Sequence, residues 1–571
     1  MNIDSLQSSL TSYTHKLGTV YRSLSPEKVI VFWLLIAMAG LLLFATLLRV
    51  NSKFLISIPS RGGEVTEGII GTPRFINPVL AVSDQDKDMV ELVYAGLTKR
   101  GEDGSIILDM AASVTESENS LHYSIVLKPE AQFHDGTPVT ADDIIYTVGL
   151  IQNPLIKSPH RVEWEGVSIT KQSAAEFTLS LKKPYPLFMN VLTLGILPKH
   201  IWKDLTEEQF SLSDYNIHAV GSGPFMIEKI NTVSGIPESF ILTSHENYTL
   251  GRPYLEKVII KSYRNEKYLL QAFENKDVSR IHGIAPERVS TLNVATSSIN
   301  TSLLPQTFTV FFNPNKADFL SDKDVRLALN MAINKQALVD TIFKGYGKVI
   351  ETPYPFDEDQ PELTYDKEKA KTTLANSKYM KKGTTTLSIT IATANTEEMK
   401  KVAEMVKNDW TELGVQAELA VYEVSDLNQS VIKERNFQVL LFGSIAEQPS
   451  DLYAFWHSSQ RNYPGLNISN YVSSKLDKNL ETIRESSDEL SRISAYDAVR
   501  QEFIEEVPGI FLFAPALVYV TRDNVTSPLP TYSIENASRF SLIPSWYRYT
   551  ESIWPKTYYT TVLSKIENIL H

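Results

Sequence analysis

The stretch Phe133-His134-Asp135-Gly136-Thr137-Pro138-Val139-Thr140-Ala141-Asp142-Asp143-Ile144 is the first whose residue types could do chemistry. An imidazole beside a carboxylate is the pairing that general acid–base catalysis uses. Here the two are sequence neighbours in an Asp-Gly turn, where side chains rarely aim at one atom, and no nucleophile sits beside them. The same residues read better as a turn followed by a capping box, with Thr140 and Asp143 opening a helix. Gly221-Ser222-Gly223-Pro224-Phe225 could be mistaken for a nucleophile elbow, but Pro224 holds the fourth position and the closing glycine is missing. No Lys-Ser/Thr pair follows to cradle a phosphate, so its glycines are read as a tight turn leading into a strand. The ten histidines stand at 15, 122, 134, 160, 200, 218, 245, 282, 457 and 571. No two are three to five apart, which removes a local H-x-x-x-H metal pair. Cysteine is absent, which removes disulfides, thiolate metal sites and cysteine nucleophiles. The 67 acidic residues leave a non-local carboxylate pair open. Catalysis, a cofactor and a metal are not expected from these residues.

The elements that would position such residues alternate between β and α patterns. Leu121–Leu127 is rich in β formers, while Phe177–Leu181 and Leu387–Ile391 alternate cleanly between apolar and polar positions. Helical spacing appears at Asp324–Lys335 and Met399–Leu413. Gly414 is suited to stop the second, and Asn334 to cap a further helix from Lys335 to Phe343. No repeat of fixed period is present, which argues against solenoids and propellers.

At 571 residues the chain holds three or four domains' worth of folded material at roughly 150 residues each. Hydrophobic residues make up 43%, enough for a large core. Lys+Arg 55 against Asp+Glu 67 gives a net charge of -12, which argues against a nucleic-acid partner. Val29–Leu48 is a run of twenty uncharged residues between Lys28 and Arg49. At about 1.5 Å per residue it covers roughly 30 Å, one hydrocarbon thickness. A signal peptide would have a shorter apolar region followed by small residues, whereas Arg49-Val50-Asn51-Ser52-Lys53 follows here. A retained single-pass anchor is therefore expected. Three basic residues on each side leave its orientation undecided by charge bias.

In this order and spacing, four stretches resemble the extracytoplasmic solute-binding proteins of peptide ABC transporters, family 5. They are the run from Phe133 to Val148, the Gly221–Phe225 turn, the helix pair Asp324–Lys335, and Leu440–Gly443 with Asn467–Asp477 beyond it. The resemblance extends from about Gly63 to about Asp523. It implies an α/β, two-lobed, periplasmic-binding-protein-like (type II) fold with mixed sheets and a hinge, preceded by one N-terminal transmembrane helix. The expected division is a cytoplasmic tail at 1–28, the anchor at 29–48 and a linker at 49–62. Lobe I would follow at 63–300, lobe II at 301–521, and a return to lobe I with a tail at 522–571. Phe308–Asn313 would enter lobe II, and Leu517–Val520 would return.

The function implied is capture of peptides in the interlobe cleft and delivery to the permease subunits, by a monomer anchored in the cell membrane with its body outside. Nickel chelates, haem or oligosaccharides are alternative ligands within the same fold, and a surface sensor without a permease is an alternative role. The sequence departs from the family pattern at Asn334, where Asp is usual, at Asp451-Leu452 in place of Asp-Pro, and in having no lipid-attachment cysteine. Carried over by position, the ligand-binding residues would be Gly443, Ser444, Glu447, Asp451, Asn467 and Tyr471. Ser444 replaces a tryptophan and would leave a roomier, more polar pocket. Glu447, with Asp451 second, would pair with a peptide's ammonium.

Overall fold

The computed structural model describes residues 25–553 apart from 184, 186–187, 290–291, 293–296, 358–360, 362–364, 382–385, 447, 464, 487 and 532. The chain divides into two compact units, Met1–Ser60 with Tyr549–His571, and Arg61–Arg548.

In the first unit, helix α1 spans Pro26–Phe54, with Pro26 in its first turn, where a missing N–H costs nothing. It overruns the apolar 29–48 run at both ends, because the charged residues that bound the run are not helix breakers. Its apolar window, Pro26–Leu47, has a mean hydropathy of 2.6 and is nowhere buried. Strand β1 (Ile56–Ser60) follows and pairs antiparallel with Tyr549–Ile553, setting Ile56 opposite Ile553 and Ser60 opposite Tyr549. The stretch 49–62 is therefore a helix end and a strand rather than a linker. Its partner lies at the far end of the chain, where no local pattern reveals it.

Among the elements of the second unit are β2 (Glu64–Ile70), α2 (Asp84–Val93), α3 (Ala141–Gln152), β3 (Phe225–Val233), β4 (Ile236–Ser244), β5 (Lys257–Tyr263), β6 (Arg280–His282) and β7 (Ser298–Leu303). It continues with β8 (Gln306–Phe312), α4 (Lys323–Ala332), α5 (Lys335–Ile342), β9 (Gly347–Val349), β10 (Ser388–Ala394), α6 (Glu397–Glu412) and β11 (Gln416–Tyr422). After these come β12 (Val439–Ile445), α7 (Leu452–Trp456), α8 (Ser474–Glu485), α9 (Glu489–Glu506) and β13 (Gly509–Thr521), with β14 (Tyr549–Ile553) closing the first unit. The strands run in the order β11-β10-β12-β8-β13-β6-β2-β5-β4-β3, and β7 and β9 also pair with β13. Parallel pairs (β2 with β5, β10 with β11) and antiparallel pairs (β8 with β12) make the sheets mixed.

Strand β13 divides this path. Its first residues pair with β8, from Phe311 opposite Gly509 to Phe308 opposite Phe513. Its last pair with β7, from Leu303 opposite Ala516 to Ser298 opposite Thr521. The change of partner falls at Pro515, whose carbonyl accepts from Leu304 N–H at 3.0 Å. A proline donates no ladder hydrogen bond, so it fits where the ladder is handed over. The strand pairing therefore changes hands at Pro305 and Pro515, a few residues inside the lobe divisions expected at 300/301 and 521/522. Leu517–Val520 lies on the lobe I side of its crossing. Separate cores pack on either side, one set built from residues 65–292 with 518–546, the other from residues 310–514.

Helix signals behaved as local chemistry dictates. The Asp143 carboxylate accepts from Thr140 N–H at 2.9 Å and from its hydroxyl at 2.8 Å, opening α3. Asn334 caps α5 by accepting from Ala337 N–H at 2.9 Å. Gly414, at φ +97°, stands two residues past α6. The return segment after β13 is pinned to lobe I by largely buried charge. Arg539 forks onto Asp88 at 2.6 and 2.7 Å and reaches Glu67 at 2.7 Å, while Arg280 holds Asp523 through two 2.7 Å bonds.

Candidate functional site

His134 and Asp135 serve different partners. His134 Nδ1 accepts from Gly221 N–H at 3.2 Å, which places its proton on Nε2, donating to Gly223 O at 3.1 Å. Burial, with the neighbouring His245 ring, pulls His134 down to about 3. Asp135 accepts from Thr137 N–H at 2.9 Å and pairs with His200 Nε2 at 2.7 Å. The pair staples a turn. The Gly221–Phe225 turn is built by close approach, since a Cβ on Gly221 would strike the Val93 carbonyl and one on Gly223 would lie 2.6 Å from Tyr94 N.

The stretch proposed to meet ligand starts on β12, in the strand pair next to the crossing. Gly443 stands opposite Phe308 and Ser444 opposite Thr307. The Ser444 and Thr307 hydroxyls hydrogen-bond at 2.9 Å. A Cβ on Gly443 would sit 3.0 Å from Gln306 Nε2 and 3.2 Å from the Phe308 ring, so glycine admits both side chains there. Ala446 N–H donates to Pro305 O at 2.9 Å, which ties the end of β12 to the crossing itself. Glu447 lies outside the described residues. Asp451 Oδ2 accepts from Gln448 N–H at 3.0 Å and closes the turn that leads into α7.

Asn467 and Tyr471 belong to the next loop. Asn467 is wholly buried. Its amide donates to the carbonyls of Trp456, His457 and Tyr471 at 3.2, 3.2 and 3.0 Å, and accepts from Ser469 Oγ at 3.0 Å. Tyr471 is half-buried, its hydroxyl 3.4 Å from Glu502 Oε1. Burial, and then the Glu502 and Glu506 carboxylates, hold its phenol above the ordinary range. Gly443, Ser444 and Asp451 thus share the β12–α7 stretch beside the crossing, while Asn467 and Tyr471 brace the loop behind α7.

Sequence reasoning passed over two features. The first is the cross-strand set Gln306, Thr307 and Phe308 facing Gly443 and Ser444; the legible signal was Pro305 ahead of a β-forming run. The second is a cavity of about 140 Å³ in lobe I, lined by Glu91, Tyr94, Lys99, Asp109, Glu535 and Ser541 among others. Burial pushes the Glu91 and Asp109 carboxyls up, with Lys99 opposing in both cases. No spacing rule connects residues so far apart in sequence.

Known proteins bear directly on this arrangement of packed regions joined by crossing strands. The family model described as Bacterial extracellular solute-binding proteins, family 5 Middle, matches residues 105–464. The chain belongs to that family. Family 5 comprises binding proteins rather than enzymes, in keeping with the staple role of His134 and Asp135. Oligopeptide-binding protein AppA of Bacillus subtilis (strain 168) is 26% identical over 478 residues, covering 80% of this chain and 87% of that protein. The Dipeptide-binding protein of Escherichia coli (strain K12) is 22% identical over 520 residues, covering 82% and 93%. The solved structure of Bacillus subtilis AppA in complex with a nonapeptide matches with a TM-score of 0.63 at 25% identity, over 86% of this chain and 100% of that one. The type II binding-protein fold with mixed sheets expected from the sequence is the fold of this family 5 member.

Proposed function

We propose that this family 5 protein is a membrane-anchored extracytoplasmic receptor that captures peptides between its lobes and hands them to an ABC transporter permease. The observation that carries the reading is the pair of crossings at Pro305 and Pro515. Two separately packed cores joined by adjacent strand segments can rotate about them and close on a ligand. Peptide is the favoured ligand because the matched relatives are named for oligopeptides and dipeptides, and because main-chain groups on a strand edge suit an extended peptide.

In this reading Gly443 and Ser444 form a polar wall of the cleft next to the crossing. Asp451 shapes the adjoining turn, and Asn467 and Tyr471 act as positioning residues through the loop behind it. Glu447 holds the ligand's ammonium. That charged hydrogen bond is worth roughly 1.5–3 kcal/mol, so Glu447→Gln should cost a free-amine peptide about ten- to a hundredfold in affinity. The N-acetylated form of the same peptide should bind both proteins equally; calorimetry of the two forms decides it. The apolar window of α1 has the length and hydropathy of a membrane span. It anchors a monomeric body outside the membrane, and the chain takes no nucleic acid.

The test of the reading is mass spectrometry of small molecules released from full-length protein purified in detergent. A set of short peptides is the expected result. A sugar or a metal chelate in their place would overturn the peptide assignment.

A further inference from the structure

The cavity of about 140 Å³ in lobe I is walled by three segments that lie far apart in the chain. The end of α2 gives Glu91 and Tyr94. The paired strands Thr98–Arg100 and Ile106–Leu108, with the residue that follows them, give Lys99 and Asp109. The return segment after β13 gives Glu535 and Ser541. Hydrogen bonds fix these walls to one another. Thr531 N–H donates to Glu102 O at 3.0 Å, and Lys87 Nζ meets Glu535 Oε2 at 2.5 Å. Ser302 Oγ donates to Pro530 O at 3.0 Å, and Ser533 N–H to Leu303 O at 3.0 Å, which ties the same segment to the end of β7. The space is a built feature of lobe I, and its lining shares no residue with the β12–α7 stretch.

Two hydroxyls in the wall are left over. Tyr94 and Ser541 are 4% and 7% exposed, and neither the Tyr94 hydroxyl nor Ser541 Oγ has a hydrogen-bond partner among the described residues. Burying a hydroxyl without a partner is costly, and the cavity is where a partner for both has room. The charges point to what that partner is. Lys99 Nζ stands 3.5 Å from Glu91 Oε1, and no other hydrogen bond reaches the Glu91 carboxylate among the described residues. Burial, with Glu535 and Asp109 nearby, raises the Glu91 carboxyl, and Lys99 opposes them. Glu535 is answered by Lys87, while Asp109 accepts from the Tyr248 and Thr249 hydroxyls, which carry no charge. Glu91 and Asp109 thus draw on the same ammonium, Lys99, and Glu91 keeps an oxygen to spare. Arg100 also lines the cavity, which makes an anion the competing occupant.

We propose that this cavity is a second ligand site, for the ammonium group of a short aliphatic amine. The three N–H groups of the ammonium meet three acceptors, the free oxygen of Glu91 and the Tyr94 and Ser541 hydroxyls, and Glu91 is the counter-ion. A cavity of about 150 Å³ holds a six-carbon ring, so an amine of four carbons has room. The site is additional to peptide capture.

The test titrates full-length protein in detergent with butylammonium chloride, and with 1-butanol and sodium butyrate as its neutral and anionic counterparts. Saturation-transfer NMR of the small molecule reads binding. The expected result is saturable binding of butylammonium, about tenfold or more tighter than either counterpart. Tyr94→Phe and Ser541→Ala each remove one hydroxyl that the folded protein leaves unused. Each should weaken butylammonium binding about tenfold, as loss of a hydrogen bond to a charged group does, while the unfolding midpoint of the empty protein stays level or rises. Glu91→Gln should weaken it about ten- to a hundredfold. Partition into micelles is the same for every variant, so it does not imitate this pattern. Equal binding of all three probes, a preference for butyrate, or an affinity indifferent to all three substitutions would overturn the site. Competition separates two sources of the ammonium. Displacement of the probe by Ala-Lys-Ala and not by Ala-Ala-Ala would show that a peptide side chain delivers it, and displacement by neither that free amines do; both results keep the site. Displacement by both peptides would put the probe in the peptide cleft and overturn a second site.

Discussion

Asn467 donates to three backbone carbonyls and accepts from Ser469, which spends its amide inside the loop. Removing that amide takes a donor from each carbonyl, and although His457 O keeps Gln460 N–H at 3.0 Å, the buried Trp456 O loses the Asn467 donor, so Asn467→Ala should destabilise the empty protein by about 1–3 kcal/mol. Denaturant unfolding of the empty protein measures it; unchanged stability with weakened peptide binding would return Asn467 to direct contact. His134 makes a second case at the same scale. Its ordinary value is about 6.5, and the folded protein holds it at about 3. Below pH 6.5 the unfolded chain binds a proton that the folded one refuses. The contribution of neutral His134 is therefore complete above pH 6.5 and is lost as pH falls from 6.5 towards 3. The slope is at most one proton, about 1.4 kcal/mol per pH unit, and less because the ring is partly exposed. Unfolding free energies of wild type and His134→Gln between pH 7 and 4 should show the steeper loss in the wild type. Parallel curves would show that His134 is not the titrating group.

Among the elements, Gly221 and Gly223 are required by the backbone at the end of α2 rather than by their own dihedral angles. A methyl at Gly221 meets a carbonyl oxygen that cannot rotate away, so Gly221→Ala should cost about 1–3 kcal/mol as overpacking does. Thermal unfolding checks it, with Gly149→Ala, where a Cβ meets nothing within 4 Å, as the tolerated control. Elements whose signal is local were legible in the sequence. The Thr140–Asp143 box, the Asn334 cap, the Gly414 stop and the alternation of Leu387–Ile391 each became the element expected. Elements defined by distant partners were not. The pairing of β1 with β14 joins the two ends of the chain, and Pro515 disguises β13 by interrupting a run that continues through it. The candidate site divides the same way. Gly443 and Ser444 could be placed by order along a strand, but the carbonyls that consume Asn467 come from a helix end folded beside it.

For the whole molecule, the decisive feature is that the buried clusters fall into two sets, residues 65–292 with 518–546 and residues 310–514, which share strand β13 and touch through the partly buried Leu303 and Tyr346. Cores of that kind need not unfold together, because the strand joining them carries few contacts that both must lose. Heating the empty protein in a calorimeter should therefore give a broadened or double transition. A peptide gripped between the lobes binds neither lobe once one of them unfolds, so its binding free energy supports both at once. At a peptide concentration of about 100 times Kd the added stability is about 2.7 kcal/mol. The expected trace is an upward shift with the two components drawn into a single sharper transition, and a shift that grows with the logarithm of peptide concentration. A peptide that raised one component and left the other at its original temperature would be seated on a single lobe. The cavity lined by Glu91, Lys99 and Asp109 in lobe I would then be the place to look for it. That outcome would sink closure about the Pro305 and Pro515 crossings as the means of capture.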